Sequence, residues 1–186
     1  AVEDARVTAI YKEGTSARSI AAGDAAIVVL DRTPFYAEAG GQVGDRGELV
    51  ASGGTFAVSD TQKIQADVFG HHGMLKTGAL KVGDKLEARV DGELRRRTMC
   101  NHSVTHIMHK ALRDVLGDHA HQAGSLVEPG RLRFDFSHFS QVAREELAEI
   151  ELEANRKLIE NTTVSTTITS KDHAEEMGAL AFFGDK

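Results

Sequence analysis

Leu86-Glu87-Ala88-Arg89-Val90-Asp91-Gly92-Glu93-Leu94-Arg95-Arg96-Arg97 is the stretch that decides the fold, because the hydrophobic period changes inside it. Up to Val90, apolar and polar residues alternate with the period of two that a half-buried strand requires. Beyond Gly92, Leu94, Val104, Ile107, Met108, Ala111, Leu112 and Val115 recur at helical spacing. Asp91 is a suitable N-cap, and Gly117 after Leu116 is a residue that tolerates a left-handed helix end. The spacing predicts a long helix from near residue 92. A domain boundary follows at the same place, with residues 1–91 in one domain and 92–186 in another.

Upstream of this stretch, short β-rich runs alternate with turn signals, and thirteen of the 18 glycines lie in residues 1–93. Ala5 to Lys12 alternates, Ala25 to Leu30 reads as a buried strand, and Thr55 to Val58 adds another. Asp31-Arg32-Thr33-Pro34, Gly53-Gly54, Gly70 to Gly73 and Val82-Gly83-Asp84 punctuate them. Many short strands at close spacing predict a small β-barrel or sandwich. Downstream, Arg131 to Phe136 alternates with Leu132, Phe134 and Phe136 on one face. A helix is expected from about Ser140 to Asn161, with Leu147, Ile150, Ala154 and Leu158 on its apolar stripe. Thr162 to Thr169 is β-branched almost throughout and reads as a strand, and Ser170 caps a short helix that stops at Gly178. The whole is α+β.

At 186 residues, 41% apolar and 27% charged, the chain can bury a sizeable core and is not of disordered composition. No run approaches the roughly 20 apolar residues that span a bilayer, so no membrane association is expected. A single cysteine, Cys100, excludes an internal disulfide framework and suits a reducing compartment, with the cytoplasm expected. The chain opens on Ala1 rather than Met, and a piece excised from a longer protein is expected. A net charge of -6 argues against a generally basic nucleic-acid coat. Residues 94–138 nevertheless carry seven basic against four acidic groups and six of the nine histidines. A solvated helix face or a site for an anionic partner would each produce this island.

Asn101-His102-Ser103-Val104-Thr105-His106-Ile107-Met108-His109 lies on the predicted helix. At about 100° per residue, His106 falls about 40° from His102 and His109 about 20° to its other side, away from the main apolar stripe. Two imidazoles one turn apart can reach one Zn²⁺ at about 2.0–2.1 Å. Cys100 points elsewhere on the same wheel and is expected to be a small buried hydrophobe. A histidine pair alone also occurs on ordinary surface helices, and spacing does not choose further ligands among His109, His119, His121 and His138. The loop Gly40-Gly41-Gln42-Val43-Gly44-Asp45-Arg46-Gly47 fits no nucleotide-binding fingerprint, and a turn explains it as well as a ligand site. His119 to Ser125 is a polar connection that brings Gln122 and Ser125 after the histidine helix.

Taken together, five stretches resemble the editing region of alanyl-tRNA synthetases and the related freestanding editing proteins. They are Thr33 to Gly47, Asn101 to His106, Gln122-Ala-Gly-Ser-Leu-Val127, Arg131 to Phe136 and Met177 to Lys186, in the family's order over most of the chain. The resemblance implies a small β-barrel joined to an α+β editing domain that hydrolyses seryl- or glycyl-tRNA(Ala). It implies zinc as cofactor, with His102 and His106 as two ligands and a Cys-x-x-x-His pair expected beyond Lys186. Gln122 is implied at the aminoacyl group, as catalytic and substrate-binding residue, and Gly40 and Gly41 beside the substrate. The implied partners are mischarged tRNA(Ala) and the remainder of the synthetase chain, with Arg95, Arg96, Arg97 and Lys110 as candidate phosphate contacts or else a solvated helix start. A freestanding trans-editing deacylase, a non-catalytic tRNA-binding module and a zinc-stabilised structural domain are the alternatives.

Overall fold

A computed structural model describes residues 1–178. Of the Met177 to Lys186 motif, residues 179–186 lie outside the described residues. Contacts divide the chain into two compact units, Ala1–His102 with Leu126–Arg133, and Ser103–Ser125 with the described residues from Phe134 on.

In the first unit the strands are β1 (Val2–Lys12), β2 (Thr15–Ala17), β3 (Ser19–Ala21), β4 (Ala25–Leu30), β5 (Gly47–Ala51), β6 (Gly54–Gln65), β7 (Val68–Lys81) and β8 (Lys85–Val90). Antiparallel pairing runs β1-β4-β7-β6-β5-β8, and β8 pairs back onto β1. Six strands thus close into a barrel, and closure removes the open sheet edges along which β-proteins aggregate. The interior is filled by alternate side chains, among them Val7, Ile10, Val28, Leu49, Phe56, Leu75 and Ala88. Strict alternation along β1 would send Ala9 inward. Instead the register shifts between Val7 and Ala9, and the bulge turns Ile10, fully buried, into the core.

Helix α1 (Gly92–Leu116) begins where the period changes, and the Asp91 carboxylate accepts from the amides of Glu93 (3.1 Å) and Leu94 (3.0 Å). At its far end Gly117 adopts φ 107°, as the sequence expects. The second unit contains the later part of α1, most of the two-stranded sheet of β9 (Gln122–Val127) and β10 (Leu132–Phe136), α2 (Arg144–Ile159) and α3 (Lys171–Glu176). Ala111, Leu112 and Ile150 form its buried core, with Met108, Val115, Phe134 and Phe136 packed around them.

Four expectations change. Gly70 to Gly73, expected as a turn, lie inside β7, where Gly73 has no room for a Cβ because the Ala57 carbonyl oxygen of β6 stands 1.9 Å from that position. Helix α2 is shorter than Ser140 to Asn161, because the Glu146 carboxylate accepts from the Ala143 amide and fixes the start there. Of its apolar stripe, Ile150 is buried and Ala154 half-buried, whereas Leu147 and Leu158 are exposed. The β-branched run Thr162 to Thr169 is exposed and forms no strand among the described residues. Strand propensity measures fit to a neighbouring strand, and no described strand pairs with it. The Ser170 hydroxyl does cap the last helix, accepting from the His173 amide. No helix among the described residues is long and apolar enough to cross a membrane.

Candidate functional site

The loop from Thr33 to Arg46 is tied down by a succession of hydrogen bonds. His71 is fully buried in β7, and its Nδ1 lies 2.8 Å from the Val28 carbonyl oxygen. A carbonyl only accepts, so Nδ1 carries the proton and Nε2 accepts from the Thr33 hydroxyl at 2.7 Å. Burial pushes the imidazole below its ordinary pKa, against the opposing pull of the Val28 carbonyl. The Phe35 ring meets His71 edge-on at 5.1 Å and joins the barrel core. The loop therefore starts from a buried neutral histidine.

Further along, the amide of Tyr36 donates to the Asp45 carboxylate (2.6 Å), and the amide of Asp45 donates back to the Tyr36 carbonyl (2.9 Å). Arg95 of α1 closes this ring, bonding the Asp45 carboxylate and, at 2.6 Å, the Pro34 carbonyl. The Asp45 side chain is 6% exposed, so the guanidinium compensates a buried charge. Burial, with Asp45 beside it, pushes the Tyr36 phenol up, which keeps its hydroxyl a donor to the Ala39 carbonyl (3.0 Å).

Gly40 and Gly41 both have positive φ, 58° and 81°, and Ala39 and Gln42 exchange backbone hydrogen bonds across them. This is the two-residue hairpin turn that glycine pairs favour, since both central residues need positive φ. The turn aims Gln42 at α1, where its Oε1 lies 2.6 Å from His102 Nδ1. Val127 ties the same turn down, donating to the Gly41 carbonyl (2.8 Å) and accepting from the Val43 amide (3.1 Å). Pro34, Phe35, Tyr36, Gln42, Arg95, Met99 and His102 line an open cleft of about 540 Å³ in this unit.

Among the other candidates, Arg96 and Arg97 are exposed, and Lys110 pairs with Asp114 one turn along α1. His106 follows His102 by one turn of the same helix and is exposed. In the second unit it lines a cleft of about 820 Å³ with Lys110, Asp114, Glu153 and Arg156. Gln122 is half-buried and donates to the Ser125 hydroxyl at 3.0 Å. His109 does not share the exposure of His106: it is buried against Phe134, with ring centroids 5.0 Å apart, and burial lowers its pKa. His119 and His138 hydrogen-bond each other at 2.8 Å. Cys100 is exposed, contrary to the expectation of a buried hydrophobe, because the part of α1 before His102 buries Thr98 instead. No group of three or more His, Cys, Asp or Glu side chains among the described residues is arranged to hold a metal.

Asp45 and His71 carried no signal that singled them out in the sequence, and Gln42 was visible only as a member of the glycine-rich loop. The pairing of His71 inward and His72 partly outward is the ordinary alternation of a strand, and nothing in it marks one histidine as the anchor of a loop.

Residues 2–94 match the family model for tRNA synthetases class II (A), and the chain belongs to that family. The relatives it resembles are alanine–tRNA ligases. It is 54% identical over 184 residues to the enzymes of Delftia acidovorans and of Janthinobacterium sp., covering 99% of this chain and 21% of each relative. The enzyme of Paracidovorax citrulli is 53% identical, with 19% of its length covered. The resemblance to alanyl-tRNA synthetases read from the five sequence stretches is thereby borne out, and the chain spans about a fifth of the length of these relatives.

Proposed function

We propose that this chain carries part of the editing apparatus of an alanine–tRNA ligase and contributes to hydrolysis of seryl- or glycyl-tRNA(Ala). The reaction cuts the ester between the wrong amino acid and the terminal ribose of the tRNA: water adds to the carbonyl carbon, and the ribose oxygen leaves with a proton. The observation that supports this most is the placement of His102 on α1 with Gln42, from the glycine-rich loop, hydrogen-bonded to its ring. His102 and His106, one turn apart, match two nitrogen ligands of a zinc site, and the remaining ligands must come from outside the described residues. When bound, zinc supplies a Lewis acid for the ester carbonyl or a source of activated water.

The chain's own residues bind and orient. After its bond to Ser125, the Gln122 amide retains a second N–H and a carbonyl oxygen for the aminoacyl group. Gly40 and Gly41 let the main chain come close to a ligand without a Cβ in the way, and open space surrounds the Cβ position of Gly40. Arg96 and Arg97, exposed on the first turns of α1, are the proposed phosphate contacts together with Lys110, whereas Arg95 holds the loop through Asp45. The partners in this reading are mischarged tRNA(Ala) and the rest of the ligase, in the cytoplasm.

The test is deacylation of seryl-tRNA(Ala) by the full-length protein and by its His102→Ala and Gln122→Ala variants, with zinc content measured on each. His102→Ala is expected to lose zinc and rate together, and Gln122→Ala to lose rate alone. Unchanged zinc and rate in His102→Ala refutes the ligand assignment. Binding of tRNA(Ala) without deacylation by the unaltered full-length protein would make this region a binding module.

A further inference from the structure

Gln42 is 8% exposed, and its backbone is fixed on both sides: its own N–H and C=O pair with Ala39, and the neighbouring Gly41 and Val43 pair with Val127. The fixed backbone sets where the side chain starts, and burial of the residue limits where its amide can point. It points at His102 Nδ1, at 2.6 Å from Oε1. An amide oxygen has lone pairs and no proton, so the hydrogen in this bond belongs to Nδ1. In a neutral imidazole the proton on one nitrogen leaves the lone pair on the other. The bond to Gln42 therefore selects the tautomer in which Nε2 is the basic nitrogen.

We propose that Gln42 is a positioning residue: from the Gly40-Gly41 turn it holds His102 in the Nδ1–H tautomer with its ring fixed, so that Nε2 is the ligand atom. The last step rests on the zinc reading above; the tautomer does not. Metal-bound histidines depend on such an outer partner for ring orientation and basicity, and loss of the partner typically costs about 10–100-fold in metal affinity. Gln42 is a neutral acceptor, so the lower end, about tenfold, is expected here. The proposal also gives the glycine pair a purpose. With Cβ atoms at both positions the turn would be strained, and Gln42 would lose the launch point that aims it at α1.

The experiment has two arms on the full-length protein. In the first, zinc-free protein labelled with ¹⁵N in its histidines is examined by long-range proton–nitrogen correlation at pH 8, where an ordinary histidine is neutral. His102 is expected to show a protonated Nδ1 and a pyridine-like Nε2. Gln42→Leu should shift it toward the Nε2–H form, and Gln42→Glu, which keeps an acceptor, should restore Nδ1–H. Backbone amide spectra of the variants report whether the barrel is intact. In the second arm, zinc affinity is measured by chelator competition, with about a tenfold loss expected for Gln42→Leu and little for Gln42→Glu. An Nε2–H tautomer in the unaltered protein, or one unchanged in Gln42→Leu, overturns the role of Gln42 whatever the zinc result. Full zinc affinity in His102→Ala overturns the ligand reading whatever the tautomer.

Discussion

Replacing Arg95 by Met keeps the aliphatic stem and removes the guanidinium, which isolates what the charge contributes to the loop. Arg95 makes two bonds, to the Asp45 carboxylate and to the Pro34 carbonyl. Hydrogen bonds involving charged groups contribute about 1.5–3 kcal/mol each, which puts a ceiling of roughly 6 kcal/mol on the pair. Breaking a fully buried ion pair costs about 3–5 kcal/mol because the remaining charge is stranded. Asp45 is buried at 6% exposure, but the Arg95 side chain is 33% exposed, so water can follow the departing guanidinium to the carboxylate. The Tyr36 amide also remains as a donor. A loss of about 2–3 kcal/mol is therefore expected, roughly 4–12 °C in Tm for a chain of this size. Urea and thermal unfolding followed by far-ultraviolet circular dichroism measure it, and faster exchange of the Tyr36 amide localises it. Arg96→Met and Arg97→Met, exposed and outside the loop, should stay within about 0.5 kcal/mol of the unaltered protein. If Arg95→Met does the same, or only weakens tRNA binding at unchanged stability, Arg95 is a phosphate contact and the ion-pair argument fails.

Acidification should destabilise the barrel through His71. Its folded pKa is lowered by burial, so below about 6.5 the unfolded chain takes up the proton first, and the stability present above that pH is lost as pH falls, by at most about 1.4 kcal/mol per pH unit. His71→Gln should be less stable at pH 8 yet show a shallower slope between pH 6.5 and 5; an unchanged slope in chemical unfolding would place the titration elsewhere. Gly44→Ala should cost about 1–3 kcal/mol, since a Cβ there would stand 2.2 Å from the Thr61 carbonyl oxygen, a backbone atom that cannot step aside. Unaltered urea midpoint and slope in that variant would show that the loop is not pinned to β6. The 186-residue chain, purified without added zinc, should contain well under one zinc per molecule because two histidines do not complete a tetrahedral set; stoichiometric zinc by elemental analysis would mean another of its own residues ligates.

Local patterning was enough to place the change from strand to helix at Asp91-Gly92, four of the six barrel strands, the Asp91 and Ser170 caps and the left-handed Gly117. Each depends on groups within a few residues of one another, so the sequence alone carries the information. It also carried the family, through motifs whose order is itself a linear property. Where a side chain's environment is made by a distant segment, the same patterning was silent or wrong. Ile10 rather than Ala9 enters the core because β4 sets a bulge in β1. Thr162 to Thr169 has the composition of a strand but no described strand to join. His102, His106 and His109 form one cluster on a helical wheel, yet one is hydrogen-bonded to Gln42, one exposed and one buried against Phe134. Spacing fixes the angle of a residue around its helix; tertiary structure decides what stands opposite. That is why the sequence by itself determined the elements and the candidate histidines, while only the folded chain decided that Arg95 answers Asp45, that His71 anchors Thr33, and that Gln42 faces the ring of His102.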